Sequence, residues 1–223
     1  MGRNAGWLTG AAALSAGEDC EGPDLIYLPE VAFDIEDFLS RVKKLLEKKP
    51  FVIAAVSEGI RLEDGRYVCE LTDGVDFVDA FGHKQLTGTA NYLARRLSQE
   101  IGCKTRSIEL SSLQRAASHL ASRIDILEAF QVGGAAVKAA DEGDTGEMVI
   151  LKRISDDPYQ CTTELRNVHK VSNVEKTVPR EWINKNGTYV TEEFISYVRP
   201  LIQGDVSPVM VDGIPRYLYH KKK

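Results

Sequence analysis

The stretch Met1-Gly2-Arg3-Asn4-Ala5-Gly6-Trp7-Leu8, followed by the small residues of 10–13, decides the fold. A run of small residues predicts a tightly packed helix. The free N–H groups at a helix start attract phosphate, and an arginine in the first turn, Arg3, would add a bidentate guanidinium. The stretch is interpreted either as a phosphate-binding helix start or as a close-packing element. In the second case Gly2 and Gly6 only permit close approach, and Arg3 is solvated.

Charge and hydropathy argue against two classes of partner. The 223 residues carry a net charge of −5, which argues against a nucleic-acid binder. No apolar stretch reaches the roughly 18 residues of a membrane helix, and the glycine-rich start lacks the charged-then-apolar order of a secretory leader. We therefore expect no nucleic-acid partner and no membrane partner.

The four cysteines bear on the cellular compartment. They are far apart in the sequence and form no Cys-x-x-Cys pattern: Cys20, Cys69, Cys103 and Cys161. Such cysteines fit reduced thiols in the cytoplasm better than disulfides or a zinc site. We expect a cytoplasmic protein in which these side chains hold no metal.

Strands and helices alternate through the first part of the chain. The apolar run 24–28 predicts a buried strand, a helix capped by Asp34 is predicted to run to about Lys49, and Phe51–Val56 predicts a second buried strand. This alternation predicts a parallel α/β sheet, whose ligands bind beyond the carboxyl ends of the strands. Glu58 lies at such an end. Its carboxylate either accepts hydrogen bonds from sugar hydroxyls or caps a turn.

The alternation continues along the chain. The patterns predict, in order, a loop or hairpin at 60–80, a helix at 86–101 ended by Gly102, a half-buried strand at 104–110, a polar loop at 111–118, a helix at 119–141, a strand at 147–151, and short helices at 180–183 and 192–195. Arg106 lies on the predicted strand and Arg115 in the loop after it. Each offers a cation for a phosphate.

The opening octapeptide resembles the sugar-phosphate-binding signature of the 6-phosphofructokinase family. In that family the signature lies near the middle of the catalytic chain. The resemblance therefore implies the C-terminal half of such an enzyme, with a three-layer α/β/α parallel sheet of Rossmann-like type. It also implies that the N-terminal half, which carries the phosphoryl-donor loops and the catalytic aspartate, is missing.

The resemblance assigns roles to the residues that match the family motifs. Met1, Gly2 and Arg3 match the Met-Gly-Arg that contacts the sugar, and Arg3 matches the residue that stabilises the transferring phosphoryl group, which makes it the catalytic candidate. Glu58, in Ser-Glu-Gly, matches the carboxylate that binds fructose hydroxyls. Arg106 matches an arginine that reaches the 6-phosphate of a neighbouring subunit's substrate.

The same resemblance assigns Arg115 to the 6-phosphate and also bears on which phosphoryl donor the enzyme uses. Arg115 follows Ser112-Leu113-Gln114, where ATP-dependent relatives carry His-Ile-Gln-Arg and pyrophosphate-dependent ones Tyr-Leu-Gln-Arg, so Ser112 is a shorter substrate contact. The segments 81–88 and 122–129 resemble the pyrophosphate-using branch. The Gly-Gly-Ser-Pro stretch common after Gln-Arg in ATP enzymes is missing. We therefore favour pyrophosphate over ATP.

The resemblance implies an organisation and an activity for the whole. Residues 1–118 would form the fructose 6-phosphate-binding lobe, 119–152 a helix and strand that return to the donor lobe, and 153–223 a helical extension and tail. The intact enzyme would phosphorylate the 1-hydroxyl of fructose 6-phosphate in glycolysis, with Mg²⁺ bound mainly by the missing half, as a homodimer or homotetramer. This chain alone would be inactive. The alternative is a truncated, non-catalytic sugar-phosphate-binding or regulatory homologue.

Overall fold

The computed structural model describes residues 4–71 and 87–216. The chain divides into two units. The first runs to Glu109 and includes the later segment Glu175–Ser196. The second comprises Leu110–Val174 and the chain from Tyr197 onward. The chain therefore leaves the first unit after Glu109, returns to it at Glu175 and leaves it again after Ser196, a path that the sequence patterns did not predict.

A parallel pair of strands forms the sheet of the first unit. Strand β1, Leu25–Tyr27, pairs with β2, Ala54–Val56, in the register Leu25↔Ala54. The second strand is shorter than the predicted six residues, because the Asp24 carboxylate accepts the Ile53 N–H at 2.8 Å just before the ladder begins. Parallel strands at this point confirm the predicted α/β class.

Helix α1, Trp7–Gly10, continues into a 3-10 turn, Ala11–Ser15, and helix α2, Ile35–Leu46, connects the two strands. The Asp34 carboxylate caps α2 as predicted, because its Oδ1 accepts the N–H groups of the first turn at 2.8 and 3.0 Å. The apolar face of α2 enters the core of the unit. The buried residues of this core include Leu25, Tyr27, Phe33, Phe38, Leu39, Val42, Ile60, Val68 and Leu93.

Helix α3, Thr89–Ile101, follows a 3-10 turn, Val68–Leu71, and the residues 72–86 that lie outside the described ranges. Gly102 ends α3 with φ +72°, the left-handed conformation expected of a glycine C-cap. The predicted strand at 104–110 is wrong. The side chains of Thr105 and Ser107 bond instead to Ala94 O at 3.0 Å and Asn91 Oδ1 at 2.6 Å of α3, and the described residues offer this segment no backbone ladder.

The second unit begins with a helix where a loop was predicted. Residues Ser111–Ala116 form helix α4, and a 3-10 turn at Ser118–Leu120 leads into the long helix α5, Arg123–Asp141. The Ser122 hydroxyl caps α5 by accepting the Asp125 N–H at 3.1 Å. The predicted helix at 119–141 is thus confirmed with a later start. The loop prediction failed because 111–118 contains no glycine or proline to prevent a helical turn.

An antiparallel hairpin packs on α5. Strand β3, Glu147–Asp156, is twice as long as predicted and pairs with β4, Tyr159–Asn167, which the sequence patterns missed. The segment from 153 onward was expected to be helical. It contains the end of β3 and all of β4, because the alternating side chains of the two strands pair across the ladder.

The remaining elements are short. They are the 3-10 turns Val168–Lys170, Arg180–Trp182 and Arg199–Ile202, helix α6 at Glu192–Val198, and the strands β5 at Met210–Val211 and β6 at Ile214–Pro215. The predicted short helices near 180 and 192 are confirmed. Among the helices of the described ranges, none has the length and apolar character needed to cross a membrane.

Candidate functional site

The predicted site residues are distributed over both units. Met1, Gly2 and Arg3 lie outside the described residues, as does 81–86 of the donor-branch segment. Glu58 and Arg106 belong to the first unit, and Ser112 and Arg115 to the second.

The carboxylate of Glu58 is held by the start of α3. Glu58 follows β2, as predicted, and is half-buried. Its Oε1 accepts the Thr89 N–H at 3.1 Å, and its backbone carbonyl accepts the Thr89 hydroxyl at 3.3 Å. Thr89 is only 1% exposed. Oε1 is therefore held by the start of α3, and within the described residues Oε2 has no hydrogen-bond partner.

The electrostatic influence of this carboxylate reaches a buried thiol. Burial raises the pKa of Cys69, and the negative charge of Glu58 raises it further. Cys69 also interacts with the Thr89 side chain. The Cys69 thiol therefore stays protonated near neutral pH.

The two candidate arginines, Arg106 and Arg115, have exposed side chains. Arg106 follows α3 and Arg115 lies in the last turn of α4. Over the residues that the structure covers, neither side chain makes a hydrogen bond or an ion pair. An unpaired guanidinium keeps all its donors available for the oxygens of a phosphate. Ser112, in the first turn of α4, is also exposed.

The opening octapeptide does not place a free helix start at Gly6. Helix α1 begins at Trp7, and the Gly6 N–H is donated to Glu30 Oε1 at 2.8 Å. A Cβ on Gly6 would lie 2.7 Å from Glu30 Oε2 and 2.8 Å from Leu28 Cβ. The Gly6 N–H is therefore not available to a phosphate, since a carboxylate already accepts it, and the predicted phosphate-binding roles of Gly2 and Arg3 lie outside the described residues. The close-packing alternative is correct for Gly6.

The octapeptide also contacts the later segment 175–182, Tyr67 and the Phe194 ring. Trp7 Nε1 donates to Lys176 O at 2.7 Å, and Asn4 Nδ2 donates to Glu175 Oε1 at 2.7 Å. The Tyr67 hydroxyl donates to Asn4 Oδ1 at 3.2 Å. The Trp7 ring stacks on Phe194 of α6, with centroids 5.8 Å apart. The segment that follows the candidate catalytic Arg3 is therefore fixed by residues distant in sequence.

Metal ligands are not assembled in the part of the chain that the structure describes. No group of three or more His, Cys, Asp or Glu side chains there is arranged to hold a metal ion. The four cysteines are free thiols. The described residues do not fit a Mg²⁺ site.

A family model whose description is phosphofructokinase matches residues 1–140. The chain belongs to the phosphofructokinase family. Among curated proteins, this phosphofructokinase chain is 40% identical to a pyrophosphate–fructose 6-phosphate 1-phosphotransferase of Halomonas elongata over 97% of its length and 51% of the relative. It is 39% identical to the protein of that name from Xanthomonas campestris, over 98% of its length and 52% of the relative.

A solved structure supports the same assignment. The pyrophosphate-dependent phosphofructokinase of Nitrosospira multiformis matches with a TM-score of 0.81 and 33% identity, over 98% of this chain and 50% of the other. The predicted phosphofructokinase-type α/β fold is confirmed. The chain spans about half the length of the relatives it matches.

Two residues that the sequence patterns missed hold parts of the candidate site. Glu30 fixes the octapeptide, and Thr89 fixes Glu58. Glu30 follows β1 as Glu58 follows β2, and the carboxyl ends of two parallel strands meet at one edge. The rule that selected Glu58 therefore could have selected Glu30 as well. Nothing in the sequence identifies Thr89, whose role depends on where α3 begins.

Proposed function

We propose that this chain is the sugar-phosphate-binding part of an enzyme that transfers a phosphoryl group from pyrophosphate to the 1-hydroxyl of fructose 6-phosphate. The observation that carries the proposal is the 38–40% identity to three proteins named pyrophosphate–fructose 6-phosphate 1-phosphotransferase, over nearly the whole chain. The reaction belongs to glycolysis, and the free thiols are compatible with a cytoplasmic enzyme.

The proposed substrate contacts follow from the chemistry of each side chain. Glu58, with one carboxylate oxygen fixed by Thr89, accepts fructose hydroxyls through the other. The exposed guanidinium of Arg115 binds the 6-phosphate, and Ser112 donates its hydroxyl to the same group. A charged hydrogen bond of this kind contributes on the order of 1.5–3 kcal/mol.

The proposed catalytic contribution of this chain is charge neutralisation. Phosphoryl transfer depends on positioning and on stabilising the charge of the transferring group. We assign the second task to Arg3, with Met1 and Gly2 contacting the sugar. The general base and the donor-binding groups, and Mg²⁺ with them, belong in this proposal to the half of the relatives that the chain does not match.

We also propose that the polypeptide equivalent to that unmatched half covers an apolar face of α5. Large apolar side chains on α5 are exposed: Ile126, Leu127, Phe130 and Val137. Phe130 is 80% exposed and Val137 72%. Exposed apolar surface of this kind marks contact sites, and the matched relatives are about twice as long as this chain. This supports the role of 119–152 as the connection to the donor lobe and leaves 1–118 as the sugar-phosphate lobe and 153–223 as an extension.

The intact enzyme is proposed to be a homodimer or homotetramer in which Arg106 acts across a subunit interface. Its exposed guanidinium has no partner in the described part of the chain, which leaves it available to a neighbouring subunit's substrate. Mixing full-length Arg106→Ala subunits with full-length Arg3→Ala subunits is expected to restore some activity. Sedimentation of the enzyme as a monomer would contradict the shared site.

The experiment that tests the proposed function is reconstitution. The purified chain is assayed for fructose 1,6-bisphosphate formation alone and after mixing with the unmatched half of the Halomonas elongata relative, produced separately. We expect no activity from the chain alone and pyrophosphate-dependent activity from the mixture. The mixture is tested again with Arg115→Ala, which is expected to lower activity, and with Arg166→Ala, a surface control.

Three results would count against parts of this proposal. Activity of the chain alone would contradict the division of labour, and activity with ATP but not pyrophosphate would contradict the donor. Tight binding of fructose 6-phosphate without activity in any mixture would favour the non-catalytic alternative.

A further inference from the structure

We propose that Glu30 is a positioning residue of the sugar-phosphate-binding octapeptide, which it clamps between the end of β1 and the returning segment at Val178. This inference rests on the proposed function for the ligand. It goes beyond that function because Glu30 is not one of the proposed substrate contacts.

The clamp is made by a single carboxylate oxygen. Glu30 Oε1 accepts the Gly6 N–H at 2.8 Å and the Val178 N–H at 2.9 Å. Residues 6 and 178 are far apart in sequence, so Glu30 joins three separate stretches of the first unit at one atom. Buried N–H groups need an acceptor, and hydrogen bonds to a charged acceptor are the stronger kind.

The surroundings leave the clamp little freedom. Gly6 is buried and Val178 is 2% exposed. Glu30 Oε2 is buried and lies so close to Gly6 that a Cβ there would be 2.7 Å away. In the described residues Oε2 has no hydrogen-bond partner. The carboxylate therefore sits directly against the octapeptide backbone, and any shift of Glu30 moves Gly6.

The residues on either side of Gly6 within the octapeptide are anchored to the same returning segment. Asn4 bonds to Glu175 and Trp7 to Lys176, each at 2.7 Å. Gly6 is the position between them, and its only described side-chain acceptor is Glu30. The three contacts together fix the backbone at 4–7, which directly follows the proposed substrate residues Met1, Gly2 and Arg3. In this proposal Glu30 acts on those three residues only through the backbone that follows them.

The test compares Glu30→Ala, Glu30→Gln and Glu30→Asp with the control Glu36→Ala in the full 223-residue chain. Glu36 is an acidic residue of the same unit, with a side chain 79% exposed and paired to Arg96 at 3.2 Å. Two quantities are measured: amide hydrogen exchange at Gly6 and Val178, and the affinities for fructose 6-phosphate and for fructose.

We expect Glu30→Ala to accelerate exchange at Gly6 and Val178 at least tenfold and to weaken the binding of both sugars by a similar factor with their ratio unchanged, because Met1 and Gly2 are proposed to contact the sugar and Arg115 the 6-phosphate. Glu30→Gln keeps an acceptor oxygen and is expected to restore most of both quantities. Glu30→Asp, which withdraws the carboxylate by one methylene, is expected to fall between them and serves if the alanine variant does not fold. Glu36→Ala is expected to behave as the parent.

Unchanged exchange at Gly6 in every Glu30 variant that folds would overturn the clamp. Faster exchange with unchanged affinities for both sugars would overturn the positioning role and leave Glu30 purely structural. A parent chain that does not distinguish fructose 6-phosphate from fructose would contradict the proposed function instead. In that case the exchange rates at Gly6 and Val178 still decide whether Glu30 holds the octapeptide.

Discussion

The Thr89 N–H and the Glu58 carboxylate are joined by a 3.1 Å hydrogen bond, and the Thr89 hydroxyl returns to the Glu58 carbonyl at 3.3 Å. The first residue of α3 thus fixes both the backbone and the side chain of the residue that follows β2. A carboxylate proposed to bind sugar hydroxyls gains a defined orientation before the ligand arrives.

Removing the Thr89 hydroxyl tests this relationship. Thr89→Val keeps the side-chain shape and the backbone N–H but loses the bond to the Glu58 carbonyl. We expect the free energy of unfolding to fall by about 0.5–1.5 kcal/mol, with a fructose affinity weaker by a few-fold. Thr89→Ser, which keeps the hydroxyl, is expected to preserve the fructose affinity. Equal fructose affinities for the valine and serine variants would show that the hydroxyl does not orient Glu58.

Gly10 allows α1 to approach the Phe194 ring. An added Cβ would lie 2.5 Å from Phe194 Cζ, and Phe194 is fully buried. We expect Gly10→Ala to lower the free energy of unfolding by about 1–3 kcal/mol, because the ring must move within a filled core. Urea denaturation followed by tryptophan fluorescence measures this, since Trp7 and Trp182 both contact that ring.

The matched control for Gly10 is Gly133 in α5. A Cβ at Gly133 would meet no atom within 4 Å. Gly133→Ala is expected to raise the stability of α5 by about 0.5–1 kcal/mol, because alanine loses less conformational entropy in a helix. Hydrogen exchange of the α5 amides measures this change in stability. The same sign of effect in both variants would refute the steric explanation for Gly10.

Arg153 joins the hairpin to the segment that follows it in the second unit. Its guanidinium lies 4.8 Å from the Tyr159 ring and 4.4 Å from the Tyr197 ring, and its Nη1 donates to Tyr197 O at 2.6 Å. A planar guanidinium can stack on rings and donate a hydrogen bond together, which an ammonium group cannot do equally well. Arg153→Lys is therefore expected to destabilise the unit by about 1–2 kcal/mol.

Hydrogen exchange across β3 and β4 measures the effect of Arg153→Lys. The control is Arg166→Lys in the same hairpin, whose half-exposed side chain only approaches Glu164 at 3.6 Å. An exposed pair of this kind contributes about 0–1 kcal/mol. If both lysine variants exchange at the parent rate, the stacked guanidinium adds nothing to the stability of the hairpin.

Tyr27 predicts how the stability of the first unit depends on alkaline pH. Burial, and after it the negative charge of Asp37, raises the pKa of the Tyr27 hydroxyl above its ordinary value. The unfolded tyrosine releases its proton near pH 10 while the folded one keeps it. The contribution of Tyr27 to the free energy of unfolding is therefore fully present below about pH 10 and declines as the pH rises above it.

Tyr27→Phe isolates this contribution. In the described residues the buried Tyr27 hydroxyl has no hydrogen-bond partner. Its removal is therefore expected to leave stability at pH 7 unchanged or slightly higher, and to make the decline above pH 10 less steep. Urea denaturation at pH 7, 9 and 10.5 is the measurement. A parallel decline in parent and variant would show that Tyr27 does not cause it.

Features that depend on nearby residues were predictable from the sequence. The Asp34 cap of α2 and the Gly102 end of α3 involve groups within a few positions of each other, and both occur as predicted. The two parallel strands and the position of Glu58 after β2 follow from continuous apolar runs, although only β1 is buried, and β2 is half-buried with Phe51 and Ile53 before it exposed. The octapeptide identified the family because its residue order is specific.

Features that depend on distant partners were not predictable. Residues 104–110 alternate like a strand, but a strand forms only where another backbone pairs with it, and this segment bonds to α3 through side chains. The clamp by Glu30 required the fold, because Val178 returns to the first unit after a long excursion. Glycine at position 6 was consistent with two explanations until the position of the Glu30 carboxylate was known.

The central claim is that this chain recognises a sugar phosphate through Arg115. Isothermal titration of the 223-residue chain with fructose 6-phosphate and with fructose tests it most directly, using the parent, Arg115→Ala and the control Arg166→Ala. We predict that the parent binds fructose 6-phosphate more tightly than fructose. Arg115→Ala should then weaken fructose 6-phosphate binding by about 1.5–3 kcal/mol, roughly ten- to a hundred-fold, with fructose affinity unchanged. Equal affinities of the parent for the two sugars, or an Arg115→Ala variant that binds fructose 6-phosphate as the parent does, would contradict the account.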